Sequence, residues 1–371
     1  MDDAIDLFAS QLAQKNFASA SATLKQLLKQ NPEDSQVQIL VARFHFATGK
    51  PDQAETIYRR ILRSETQNKL LTQARQGLKA IEDAEIQARR DRMAISMAKA
   101  GSKGLAFLAI QPVAPDARKA IAEKLARIFR IDNYTAQSQI PSRYQRIFRI
   151  GLLGELSSYG EELCAAGVPA IWVSLDSIAK ISVYTVDYFK LTDIHHLHAV
   201  CGEEEVTFDL SEIKRRVVGQ IPTFGEIVTV NAKHKLVRKD DILDQIRICD
   251  LHLSKRNCIL RFHEGQYQFD RGMQLEVHQT LKHIAPTVQE RWAALTKWFD
   301  QSLTSLPNSV PIYDEFVPFA EMSIDFPEFL KELTSHIDLE RQKPSLWDNC
   351  FQLYSGSIYE LPHPATRGWG F

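Results

Sequence analysis

No stretch of the 371 residues approaches the ~18 consecutive apolar positions that a membrane-crossing helix requires, so no helical span is expected. Cysteine is scarce: five residues, at 164, 201, 249, 258 and 350, an odd number without a CxxC pair. Such spacing predicts neither a disulfide framework nor a zinc knuckle. The opening residues, with Asp2 and Asp3, lack the positive stretch and apolar core of a secretory leader; the expectation is a cytoplasmic protein with reduced, mostly buried thiols. Charge of one sign is also lacking, because 45 Lys and Arg meet 46 Asp and Glu, and this balance excludes wholesale binding to a polyanion. Catalytic signatures are missing as well: there is no GxSxG, no HExxH and no kinase set, so no catalytic residue and no cofactor are expected.

What the chain does contain is a repeat. Over the first 68 residues Ala20 recurs as Ala54, Leu24 as Tyr58 and Leu27 as Ile61, a period of 34. Leu7, Phe8 and Leu12 share one helical face, and Ala20, Leu24, Leu27 and Leu28 form the matching stripe on a second helix. Asn31-Pro32 ends that helix, because proline biases the residue before it away from helical geometry. Gly49, followed by Pro51 at the start of the next helix, supplies the turn of the second repeat. A third helix, about Lys69 to Ala98, carries Leu71, Ala74, Leu78 and Ile81 at helical spacing and can cap the stack.

The segment Ala20-x-x-x-Leu24 with Pro32, then Gly49 with Ala54-x-x-x-Tyr58, resembles the tetratricopeptide repeat. It departs from that family's pattern in having no Trp, His45 in place of Tyr, and Thr66 in place of the second Pro. The resemblance implies a protein-binding groove lined by the first helix of each repeat. Its groove positions carry over to Ile5, Ala9 and Leu12, then to Gln36, Ile39, Arg43 and Phe46. The implied partner is an extended or helical protein segment, with an apolar anchor over Ile39 and Phe46 and a carboxylate near Arg43.

The fold class read from the whole chain is multidomain, α plus α+β. The expected divisions are helical repeats with a capping helix at 1–100, a small α/β two-layer sandwich at 104–176, a strand-rich domain closed by a long helix at 180–300, and an acidic, proline-rich region at 301–371. In 104–176 the expected order is β-α-α-β-α-β, similar in element order to ClpS and to the C-terminal domain of the ribosomal stalk protein. From Ile181 the segments 181–186, 206–210, 227–230 and 258–262 read as antiparallel strands with one wet face, with a short helix starting at Ser211. A long helix from about Met273 to Phe299 closes them, an order similar to pleckstrin-homology-like domains. Residues 301–371 hold ten Asp or Glu against four Lys or Arg, and seven of the fifteen prolines. They are expected to lie across the body, held by rings such as Phe316, Phe319, Phe329, Phe351 and Tyr354, with one helix from Phe326 to Leu339. Leu361 to Phe371 reads as a loose docking peptide.

Three further groups invite chemistry. His196 and His198 would share one face of a strand, a workable metal spacing near Cys201, but no third and fourth ligand is placed, so ordinary strand histidines are expected. Gly151-x-x-Gly154 stands where a strand enters a helix, a place for phosphate, yet it lacks both the third glycine of a dinucleotide fingerprint and the lysine of a P-loop. Lys214, Arg215 and Arg216 with Lys233, Lys235, Arg238 and Lys239 are basic without interleaved aromatics; a solvated face is the expectation, and nucleic acid is not the expected partner. The favoured function is a non-enzymatic adaptor, scaffold or assembly factor, with a second protein contact through the middle domains. Its rival is a ligand-binding sensor or enzyme whose pocket lies in the strand-rich part.

Overall fold

The computed structural model describes residues 2–193, 195–230, 234–277, 285–307, 309–339 and 345–361. The chain forms two compact units, Met1–Ile95 and Ser96–Phe371. Helices α1 (Asp2–Ala13), α2 (Phe17–Gln30), α3 (Ser35–Ala47) and α4 (Pro51–Ser64) are the two expected helix pairs, and α5 (Asn68–Met97) is the expected long helix after them. Local chemistry sets their ends. The Asp34 carboxylate accepts the amides of Gln36 and Val37 at the start of α3, and Gly49, at φ +76°, makes the turn before Pro51. Ala20, Ala42, Ala54 and Ala74 are completely buried, as close helix approach requires. Two apolar clusters result, one of Phe8, Leu24, Leu27, Val37 and Leu40, the other of Ile39, Tyr58, Ile61, Leu70 and Ile81.

The second unit begins with β1 (Leu105–Ile110), α6 (Arg118–Phe129), α7 (Asn133–Gln139), β2 (Arg146–Leu152), α8 (Leu153–Ala165) and β3 (Ala170–Ser174), the order read from the sequence. Asp132 caps α7 by accepting the amide of Thr135. The three strands form an antiparallel sheet in the order β2-β1-β3. Ala106, Leu108 and Ile110 face α6 and α8, while Phe107 and Ala109 face a second core. That explains the continuous apolar run of β1: both faces are covered.

After α9 (Leu175–Ala179) come β4 (Ser182–Thr185), β5 (Tyr188–Leu191), β6 (His196–Cys201), β7 (Glu204–Asp209), β8 (Arg215–Val230), β9 (Leu236–Leu253) and β10 (Cys258–His263). The chain closes with α10 (Val288–Thr304), β11 (Ile312–Tyr313), α11 (Phe316–Ser323), α12 (Pro327–Lys331) and α13 (Trp347–Glu360). Strands β5-β6-β7 make an antiparallel meander, and a five-stranded sheet runs β11-β8-β9-β10-β4.

Here the sequence reading needs four corrections. The larger sheet is mixed, with parallel pairs at β10/β4 and β11/β8, and β10 is buried along its whole length. One wet face is therefore wrong for it: α10 covers one side and α11 and α13 the other. Second, only a three-residue turn, Leu210–Glu212, stands where a helix was expected at Ser211, and Arg215 already opens β8. Third, residues 273–277 are not helical; α10 starts at Val288, where Thr287 and Glu290 cap each other reciprocally. Fourth, the expected helix from Phe326 to Leu339 is only the five residues of α12.

Within the C-terminal region α13 enters the core and is not laid on the surface. Every residue of α13 from Cys350 to Tyr359 is buried, and Phe351, Leu353 and Tyr354 share a core with Phe107, Ile171, Val217 and Ile248. A helix apolar or small all round has no stripe to detect, and Ser355-Gly356-Ser357 reads as a loop. Gly356 is required by that burial: a Cβ there would lie 2.5 Å from Ile178.

Candidate partner-binding surface

Positions 36, 39, 43 and 46 are one face of α3, as their three- and four-residue spacing dictates. Arg43 is exposed there, with Gln36 and Phe46 half-buried on either side. Ile39 is only 1% exposed, inside the cluster with Ala54, Tyr58 and Ala74. It holds the helices together and does not reach a partner, so the anchor over Ile39 is corrected to a core contact. On α1, Leu12 and Ile5 are half-buried against Phe8 and Leu24, and Ala9 is exposed.

The residue that the sequence reading left out of the site is Tyr58. Burial raises the pKa of its phenol, and the nearby Arg43 cation works against that rise. The ring is only 2% exposed. Against it lies Gly77 of α5, where a Cβ would come within 2.2 Å of Tyr58 Cζ. Glycine in mid-helix costs about 1 kcal/mol of intrinsic helix propensity relative to alanine, and here it makes room for the tyrosine. The signal was present: Tyr58 stands in the repeated Ala-x-x-x-aromatic position, and Gly77 interrupts a strong helix former.

Five helices, alanines at the close approaches and a 34-residue period now stand together. The tetratricopeptide repeat family matches residues 11–84. No curated protein and no solved structure matches the chain. Tetratricopeptide repeats support binding to proteins.

The remaining candidates are placed as follows. His196 and His198 share the outward side of β6, but each ring turns to neighbours of its own: His196 Nδ1 to Asp193 at 2.9 Å, His198 Nδ1 to Thr207 at 2.9 Å. Among the described residues no group of three or more His, Cys, Asp or Glu is arranged to hold a metal. The amides of His195 and His196 and the imidazole of His196 hold the Asp193 carboxyl down at about 2, and the hydrogen bond to Asp193 raises the pKa of His196 above 6.5. The charged pair is therefore present from above about 2, where Asp193 ionises, up to 6.5, and is lost as pH rises through the raised histidine value. In an NMR titration His196 is expected to show a midpoint above 6.5 that falls on Asp193→Asn; a midpoint at or below 6.5 in the unaltered protein contradicts this.

All five cysteines are free thiols, and burial pushes Cys201, Cys249 and Cys350 up to about 12, far from the thiolate a nucleophile needs. The first amides of α8 are already used: Leu153 donates to the Gly104 carbonyl and Gly154 to that of Ser102, so Gly151-x-x-Gly154 is a packing turn. The basic group divides. Lys214, Lys235, Arg238 and Lys239 face solvent or lie at the surface, but Arg215 and Arg216 are 4% and 5% exposed, which overturns the solvated-face reading for those two. Arg215 donates to the carbonyls of Ile358, Tyr359 and Leu361 at the end of α13, and Arg216 to the Asp300 carboxylate of α10. Lys233 and residues 362–371, most of the expected docking peptide, lie outside the described residues.

A buried polar network also ties α13 to the sheet. Arg261 on β10 holds Asp250 on β9 through two hydrogen bonds, Nε to Oδ1 at 2.8 Å and Nη2 to Oδ2 at 2.7 Å, and reaches Gln352 and the Ser335 carbonyl. Ser355 donates to Asp250 at 2.6 Å, and burial, with Arg215 and Arg261 nearby, keeps His252 neutral, so its Nε2–H donates to Ser355. Ser355, Asp250 and His252 are completely buried, and none lines a cavity described here. This arrangement specifies how α13 docks; it does not offer a serine to a substrate.

Proposed function

We propose that this protein is a non-enzymatic adaptor or scaffold that takes up a segment of a partner protein on the α3 face of its tetratricopeptide repeats. The observation that carries the reading is the exposed guanidinium of Arg43 on the α3 face, near the buried Tyr58 and beside the half-buried Phe46. The partner segment then offers a carboxylate to Arg43 and an apolar side chain to Phe46, with Gln36 and Leu12 bordering the contact. A hydrogen bond to a charged group contributes about 1.5–3 kcal/mol, so Arg43→Ala is expected to weaken binding roughly ten- to a hundredfold. The partner is first recovered with the full chain and identified by mass spectrometry, and its affinity is then measured for Arg43→Ala and Phe46→Asp. Unchanged affinity for both variants, with helicity intact, would move the binding surface elsewhere.

A further inference from the structure

A cavity of about 960 Å³ opens in the second unit between the β8–β9 face of the large sheet and the first half of α10. Its origin is a short strand. β11 pairs with β8 at only two positions, Arg216 and Val217, so beyond them the edge of β8 is left without a neighbouring strand from the described chain. Strand alternation puts Arg216 and Val218 on the α10 side, and antiparallel pairing sets Cys249 beside Val218 there. Trp292 of α10 adds an apolar ring to the same wall.

The polar part of the lining is lopsided. Arg216 gives Nη2 to Asp300, a carboxylate that is itself 55% exposed, but Nε and Nη1 are buried without a hydrogen-bond partner. A buried guanidinium short of acceptors is costly, and a ligand oxygen is the remedy an adjoining cavity makes available. Arg247, also in the lining, is bound at 3.0 Å to Glu264 and leaves part of its fork for a second contact. Glu290 and Asp314 stand in the same wall; Glu290 accepts the Thr287 amide and so serves the start of α10. With Asp300 and Glu264 counted beside Glu290 and Asp314, four carboxylates stand around the two cations, which leaves no room for a multiply charged anion.

We propose that this cavity binds a small organic monocarboxylate with a flat apolar body. Its carboxylate sits at Arg216 and Arg247, and its body lies against Trp292 and Val218. The volume is that of a drug-sized ligand site, and the mix of apolar walls with a few convergent polar groups is what such sites use. The proposal is independent of the repeats, so its failure would leave the adaptor reading untouched.

The test is calorimetric titration of the full chain with naphthoate, its neutral amide naphthamide, and naphthyl phosphate. Naphthoate should bind at least tenfold more tightly than either analogue. Arg216→Gln should erase that preference while leaving the amide's affinity unchanged. Because Arg216 is buried and its replacement can unfold the unit, Ala293→Trp serves as the second variant: Ala293 is exposed in the cavity wall, and a large ring there should abolish binding of all three compounds with the unfolding transition unchanged. Equal affinity for acid and amide, tighter binding of the phosphate, unaltered naphthoate binding in Ala293→Trp, or no heat from any of the three would each overturn the assignment.

Discussion

Asp250→Ala is expected to destabilise the second unit by about 3–5 kcal/mol, because it strands the Arg261 guanidinium, 1% exposed in its side chain, without its counter-charge. The effect should differ from an ordinary core truncation in kind. Ser355 loses its acceptor, His252 loses the orientation of the hydroxyl it donates to, and Arg261 keeps Gln352, the Ser335 and His336 carbonyls and the Phe351 ring but no counter-charge. Since these groups lie between β9, β10 and α13, the loss reaches the docking of the whole helix. Replacing both ions together, Asp250→Leu with Arg261→Met, should cost less than Asp250→Ala alone, as expected when the penalty is an unpaired buried charge. Urea unfolding followed by tryptophan fluorescence reads this unit selectively, because none of the five tryptophans falls before residue 172. A loss below about 1 kcal/mol for Asp250→Ala would mean the charge is not truly desolvated and the network is not a determinant of the fold.

Tyr58→Ala should remove about 3–5 kcal/mol from the first unit, the usual range for deleting a fully buried aromatic ring. The ring fills the space between α4 and Gly77 of α5, and Arg43 lies near it, so stability and partner binding should fall together. Gly77→Ala is the informative companion. On an open helix it would gain about 1 kcal/mol, but here the new methyl meets the Tyr58 ring and a loss of about 1–3 kcal/mol is expected from overpacking. Thermal unfolding followed by far-ultraviolet dichroism distinguishes the two: stabilisation by Gly77→Ala would show that the tyrosine can move aside.

The ease with which the first unit was read, and the difficulty of the second, have one physical cause in the range of the contacts. Ala20, Ala54, Leu27 and Ile61 pack against helices adjacent in sequence, so their period carries both the local structure and its packing. Similarly, β1 to β3 and the helices between them lie within 70 residues, and their order could be read from period and caps alone. The lessons in the site are finer. Spacing placed Ile39 and Arg43 on one face of α3, but it could not tell that Ile39 turns into the cluster with Tyr58 while Arg43 stays exposed, since a helical face grades from buried to open over a single turn.

By itself, then, the sequence determined the repeats, their α-helical pairs, the capped α7, and the β-α-α-β-α-β order of residues 104–176, because period, capping residues and small side chains act between near neighbours. Only the tertiary structure decided that Arg215 and Arg216 go inward on opposite sides of one strand, that α13 is buried from Cys350 to Tyr359, and that a two-residue β11 leaves a cavity beside α10. Arg215 meets the end of α13 more than 140 positions away, and Arg261 meets Gln352 91 positions away. A charged side chain is buried only where distant groups supply its hydrogen bonds, and no local pattern of residues records which distant groups those will be.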